Sequence, residues 1–225
     1  MTEADAIWHY EIQKSWDFEN GFYLTSHPSR LAKTIAQWEL YKKILHLPGD
    51  IVECGVYKGA SLIRFATYRE MTEPYYSRKI IGFDIFGVFP RSTLGEDNTF
   101  IEGFENDGGD GIAQGDLEKS FAHKHFQNYE FIQGDICTTV PEYAARHKEW
   151  KIALLHIDVD VYSPTKIILE TLFDHIVPGG LIVLDDYGTV YGETKAVDEY
   201  LSLGGNKYKI EKLPYYKCPA FIVKT

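Results

Sequence analysis

The sequence predicts a single α/β domain on a mostly parallel sheet with helices on both faces, and three observations lead there. The chain has 225 residues, a length at which α/β folds commonly stay in one piece. From Asp50 onward, short β-rich runs alternate with helical stretches, the pattern of parallel strands joined by crossover helices. The chain then closes on two β-rich runs separated by Pro214-Tyr215-Tyr216-Lys217, which reads as an antiparallel hairpin.

Taken in order, residues 1–28 form an extension crowded with Trp8, Tyr10, Trp16, Phe18, Phe22 and Tyr23. Its aromatics either pack an N-terminal helix onto the domain or cover a substrate as a lid; Trp8 and Trp16 could also meet a second subunit. The domain proper spans 29–225. A first helix is expected over 29–45, with Ser29 as N-cap and Pro48-Gly49 as its stop. Strands are expected at 51–54, 79–83, 129–133, 152–157 and 181–184, with the closing pair at 209–213 and 220–224. A helix starts near Ser61. Another starts with Ser163 as cap and Pro164 at the first helical position, where its missing N–H costs nothing, and ends near Val177. Pro178-Gly179-Gly180 then reads as a turn. Residues 92–118 carry eight acids, six glycines and no Lys or Arg, and are expected to be an irregular insertion, either a solvated loop or a flap over a site.

Composition narrows the function. Net charge is 23 − 33 = −10, which argues against nucleic acid, since phosphate binding needs a basic face. No apolar run approaches the roughly 20 residues of a membrane helix. The opening Met1-Thr2-Glu3-Ala4-Asp5 is acidic and lacks the basic head of a signal peptide. Cys54, Cys137 and Cys218 are too few and scattered for a disulfide framework or zinc knuckle. A soluble, cytoplasmic protein is expected.

In an open parallel sheet, ligands bind beyond the carboxyl ends of the strands. The first strand ends in Glu53-Cys54-Gly55-Val56-Tyr57-Lys58-Gly59-Ala60-Ser61, a glycine turn into a helix N-terminus that favours an anion. It lacks the pyrophosphate glycines of a dinucleotide site. The second strand leads to Asp84, placed to accept ribose hydroxyls, and the third to Gln133-Gly134-Asp135-Ile136, placed to accept an exocyclic amine. Each Asp could equally cap the turn or helix beside it. Together they describe an adenosine ligand with a carboxylate, which S-adenosylmethionine fits. Asp158 follows the fourth strand, and Asp185 and Asp186 the fifth. Three converging carboxylates call for a cation, and all-oxygen ligation selects a hard ion such as Mg²⁺. Asp160 lies one step beyond and is expected to face solvent or cap the 163 helix. His156 is expected to be a hydrogen-bonded core residue.

The runs Ile51-Val52-Glu53-Cys54-Gly55-Val56, Ala153 through Tyr162, and Pro178-Gly179-Gly180 through Asp185-Asp186-Tyr187-Gly188 resemble macrocin and mycinamicin O-methyltransferases over about residues 30–201. These are class I, Rossmann-like enzymes that methylate a sugar hydroxyl with S-adenosylmethionine and Mg²⁺. The resemblance implies a seven-stranded sheet in the order 3-2-1-4-5-7-6, its seventh strand antiparallel. It implies that Glu53, Gly55, Gly59, Ser61, Asp84, Asp135 and Ile136 line the cofactor pocket. It implies that Asp158, Asp185 and Asp186 hold the metal, with Asp158 also taking the proton, and that the protein is a homo-oligomer. The antibiotic enzymes tend to be longer, so a nucleotide-linked deoxyhexose is the expected acceptor. Catechol-type relatives place a lysine three residues after the first Asp, and Val161 stands there, which counts against a catechol. The rivals are a class I methyltransferase of a phenol or phosphonate, with Arg30, Arg64 and Arg91 available to a phosphate, and a non-catalytic binding module.

Overall fold

The computed structural model describes residues 6–91, 95–205 and 207–225, with the Glu96 side chain outside that set. The acidic opening, 1–5, and part of the expected insertion, 92–94, therefore lie outside the described residues. The chain opens with a short antiparallel hairpin, β1 (Ala6–Ile7) and β2 (Tyr10–Glu11), and helix α1 (Ser15–Thr25). The rest alternates as expected: α2 (Pro28–Lys43), β3 (Asp50–Cys54), α3 (Ala60–Thr72), β4 (Ile80–Asp84), α4 (Gly95–Gly108), α5 (Gln114–His123), β5 (Tyr129–Gln133), α6 (Ile136–Arg146), β6 (Ile152–Ile157), α7 (Tyr162–Leu172), β7 (Ile176–Leu184), α8 (Tyr191–Leu203), β8 (Ile210–Lys212) and β9 (Ala220–Val223).

The main sheet has the order β5-β4-β3-β6-β7-β9-β8. Counted from β3, this is the expected 3-2-1-4-5-7-6. Strands β3 to β7 pair in parallel, and β9 runs antiparallel to both neighbours. Alternate residues of each central strand feed opposite cores. Val52, Ile81, Leu155 and Ile182 pack under α6, α7 and α8, while Ile51, Ile80, Leu154 and Leu181 pack under α2, α3 and α5. Burial of both faces explains why these strands read as continuous apolar runs.

Five expectations need correction. Helix α7 is capped by Val161 rather than Ser163 and ends at Leu172 instead of Val177, because the chain turns at 173–175 and enters β7 at Ile176. The α2 cap is His27, whose ring accepts from Ser29 N, and Pro28 takes the first helical position. The strand β7 begins five residues early, because the pairing jumps from Ile152–Ile176 to Leu154–Leu181. Pro178-Gly179-Gly180 is thus a bulge inside a strand, with Gly179 at φ +83° bonding through its amide to Lys224 O at 2.7 Å. The expected insertion loop is largely α4 and the start of α5. Ile101 is wholly buried, and Phe100 and Phe104, one turn apart, stack at 5.9 Å. This apolar face fixes a helix that the glycines and acids obscure. Finally, Asp160 neither faces solvent nor caps α7: it is 8 % exposed at φ +62°, and its side chain turns back to the other acids.

Among the described residues, no helix is long and apolar enough to cross a membrane.

Candidate active site

A cavity of about 1090 Å³ opens at the carboxyl ends of the strands. Gly55, Ser61, Asp84, Asp135, Ile136, Asp158, Asp185 and Asp186 all line it, together with Asp160. Glu53 and Gly59 do not; they stand behind its wall.

The cofactor-side wall is built on close backbone approach. Gly55 sits at φ +89°, and a Cβ there would lie 1.8 Å from Asp158 O, so β3 and β6 can meet only over a glycine. Gly59 caps α3 at φ +78°, and its missing Cβ leaves room for Leu117. Asp84 staples this turn: its carboxylate accepts from Val56 N at 2.6 Å, Tyr57 N at 3.1 Å and Phe86 N at 2.6 Å. It therefore caps the turn while still bordering the cavity. Asp135 does the same for α6, accepting from Cys137 N at 2.9 Å.

Behind Ser61 runs a buried relay of charges. Ser61 Oγ donates to Glu53 Oε1. His156 bridges Glu53 Oε1 through Nδ1 at 2.9 Å and Asp185 Oδ1 through Nε2 at 3.2 Å. Lys33 Nζ closes the relay on Asp185 Oδ2 at 2.5 Å. With a carboxylate on each ring nitrogen, His156 is held as the imidazolium. Burial opposes that charge, but Asp185 and Glu53 overcome it and carry the ring up to about 10. Burial would likewise raise Asp185, yet His156 and Lys33 hold it down to about 2. Lys33, on α2 and 152 residues from Asp185, left no trace in the sequence pattern, since no spacing rule links an early helix to a late strand end.

The acids beside Asp185 form no salt bridge among the described residues, although Lys33 and His156 act on Asp158 and Asp186 from a distance. Oxygens of Asp158, Asp160 and Asp186 lie within 4.8 Å of one another. Burial pushes each carboxyl up, helped by Asp185 at Asp158 and Asp186 and by Asp186 at Asp160. Glu193, at the start of α8, is wholly buried beneath them and accepts from Asp186 N at 3.2 Å through Oε1. Its Oε2 has no partner among the described residues. Sequence reading missed Glu193, as a single acid in a helix carries no signal.

The outer wall is aromatic. Ile7, Trp8 and Tyr10 of the N-terminal hairpin line the cavity together with Tyr57, Phe89, Phe100 and Phe104. Lys58 joins the two sides: its Nζ lies 5.4 Å from the Trp8 ring and donates to Gly108 O at 2.5 Å. Trp8 thus borders the site, whereas Trp16 is 73 % exposed.

Comparison with known proteins places this geometry. The chain is 28 % identical over 150 residues to an 8-demethyl-8-(2,3-dimethoxy-alpha-L-rhamnosyl)-tetracenomycin-C 4'-O-methyltransferase of Streptomyces olivaceus, covering 63 % of this chain and 54 % of that protein. It is 27 % identical over 163 residues to the mycinamicin III 3''-O-methyltransferase of Micromonospora griseorubida, covering 68 % and 61 %. The matches thus span little more than half the length of these curated relatives. Among solved structures, the calicheamicin methyltransferase CalS11 superposes with a TM-score of 0.71 at 26 % identity, over 93 % of this chain and 85 % of its own. Its apo form, described as a TDP-rhamnose 3'-O-methyltransferase, gives 0.69 at 27 % identity, over 93 % and 86 %. The O-methyltransferase NovP shares the fold, with a TM-score of 0.73 at 19 % identity over 85 % of this chain and 79 % of its own. A family model described as Macrocin-O-methyltransferase (TylF) matches residues 35–215, and the chain belongs to that family.

Proposed function

We propose that the protein is an S-adenosylmethionine- and Mg²⁺-dependent O-methyltransferase acting on a sugar hydroxyl, with a nucleotide-linked deoxyhexose as acceptor. The observation that carries this is the shared cavity, in which the Gly55, Asp84, Asp135 and Ile136 wall and the Asp158, Asp160 and Asp186 cluster open onto one space. The printed descriptions of the relatives, a rhamnosyl and a TDP-rhamnose O-methyltransferase among them, support a sugar acceptor. The three matched acids suit a hard cation: they offer oxygen alone, and their spacing fits carboxylates around one small ion.

S-adenosylmethionine, held by the Gly55, Asp84, Asp135 and Ile136 wall, would supply an electrophilic sulfonium methyl to the sugar oxygen, with S-adenosylhomocysteine as the leaving group. A divalent ion held by Asp158 and Asp186, with Asp160 or Asp185 as third carboxylate, would supply Lewis acidity toward the acceptor hydroxyl. Asp158 takes the hydroxyl proton. His156 cannot, because both its ring nitrogens already donate to carboxylates; it positions Glu53 and Asp185. The aromatic wall excludes water and fixes the two reactants in line. The test is methyl transfer to a panel of nucleotide-linked deoxyhexoses, phenols and phosphonates, followed by mass spectrometry. A methylated sugar is expected, and exclusive methylation of a phenol or phosphonate would overturn the acceptor.

A homo-oligomer belongs to the same proposal. No residue of α1 is buried, and Trp16, Phe18, Tyr23 and Leu24 stay exposed. Aromatic side chains bury about 150–250 Å² each, so a second copy of the chain covering Trp16, Phe18 and Tyr23 would hide much of the about 800 Å² per partner of a standard interface. Free Cys54, Cys137 and Cys218 suit a reducing, cytoplasmic setting.

A further inference from the structure

Resting on the cofactor reading above, we infer that Arg30 and Arg64 form a two-guanidinium receptor for the carboxylate at the amino-acid end of the methyl donor. Both line the cavity, beside Lys33 and Ser61. Arg30, Lys33 and Gln37 recur at the spacing of one face of α2, and Arg64 donates from α3 to Gln37 Oε1 at 3.1 Å. Helical side chains lean toward the N-terminus, which brings Arg64 back over the first turn of α3, where backbone N–H groups already favour an anion.

The local charges are unbalanced. Glu53 and Asp185 are matched by His156 and Lys33. Arg30 and Arg64 remain as two positive groups with no carboxylate within 4.0 Å among the described residues. They feel each other: burial, and then the like charge of Arg30, hold the Arg64 guanidinium below its ordinary value, against some support from Tyr68, Glu53 and Asp185. Wholly buried Gln37 also leaves its Nε2 without an acceptor among the described residues. A surplus of donors around one corner of a cavity marks a missing acceptor, and paired guanidiniums match a planar carboxylate.

The sheet order says which anion arrives there. The order β5-β4-β3 spaces the three turns by about 4.8 Å per strand. A ligand with its base at Asp135 on β5 and its ribose at Asp84 on β4 delivers its third part to the β3 turn and α3. In S-adenosylmethionine that part is the amino acid. The acceptor, in contrast, must reach Asp158 and Asp186 at the ends of β6 and β7.

Decarboxylated S-adenosylmethionine, which keeps the amine and lacks only the carboxylate, isolates the contact. Isothermal titration of the full chain with each ligand should show about a tenfold to hundredfold preference for S-adenosylmethionine. In Arg30→Gln and Arg64→Gln that preference should shrink toward unity while binding of the decarboxylated ligand persists. Arg30 is exposed, so its variant decides the matter even if Arg64→Gln fails to fold. An undiminished preference overturns the receptor, and so does loss confined to dTDP binding, which would hand the pair to an acceptor phosphate. Wild-type protein that binds neither ligand would instead sink the cofactor assignment itself.

Discussion

Replacing Asp84 by alanine should cost stability as well as cofactor affinity, because the side chain has two duties. Its two oxygens accept three backbone amides, those of Val56 and Tyr57 in the glycine turn that shapes the cavity and that of Phe86 just beyond β4. A buried donor left unsatisfied costs about 1–3 kcal/mol. Asp84 is 9 % exposed and borders the cavity, so water can reach part of the gap; taking the lower bound for each of three donors gives about 3 kcal/mol. For a domain of this size that corresponds to a fall in Tm of roughly 6–12 °C. Asparagine keeps one accepting oxygen and should lose about half as much. Urea denaturation of wild type, Asp84→Asn and Asp84→Ala provides the stabilities, and titration with S-adenosylhomocysteine the affinities. An Asp84→Ala protein as stable as wild type would refute the stapling role, and a destabilised one with unchanged affinity would remove the ribose contact.

Three further outcomes are expected. His156→Phe strands Glu53 as a buried charge and leaves Asp185 with Lys33 alone, and should cost about 3–5 kcal/mol in chemical denaturation; an unchanged midpoint would contradict the charged relay. Gly55→Ala places a Cβ 1.8 Å from Asp158 O at a left-handed φ, so it should either fail to fold or lose measurable S-adenosylhomocysteine binding by titration, and full binding would contradict the close approach of β3 and β6. Light scattering should give a mass above 25.8 kDa, and Trp16→Glu should lower it to the monomer; a monomeric wild type would end the oligomer proposal.

Strand ends were legible in the sequence because both faces of β3 to β7 are buried, which leaves continuous apolar runs stopped by Gly or Asp. The convergence of Asp158, Asp185 and Asp186 on one cavity followed from topology alone. What escaped was set by contacts between distant residues. Lys33 reaches Asp185 from another helix, and Asp160 joins the acids because a positive φ reverses its direction. The helix α4 hid for a different reason. Its glycines and acids outweigh the apolar face of Phe100, Ile101 and Phe104 in any count by composition, and only packing against Tyr57 and Phe89 shows that face. Glu53 is expected at the cofactor wall, yet it is wholly buried and lies behind Ser61, to whose hydroxyl it is bonded.

The central claim is that one cavity holds a methyl donor on its glycine wall and a hard divalent ion on its acids, for transfer to a sugar hydroxyl. Turnover of radiolabelled S-adenosylmethionine with a nucleotide-linked deoxyhexose, in chelated and Mg²⁺-restored enzyme, tests it most directly, with Asp158→Asn alongside. The account predicts turnover that vanishes on chelation, returns with Mg²⁺ and stays lost in Asp158→Asn, while S-adenosylhomocysteine still binds that variant. Full turnover in exhaustively chelated enzyme would contradict it and leave Asp158, Asp160 and Asp186 with a structural role.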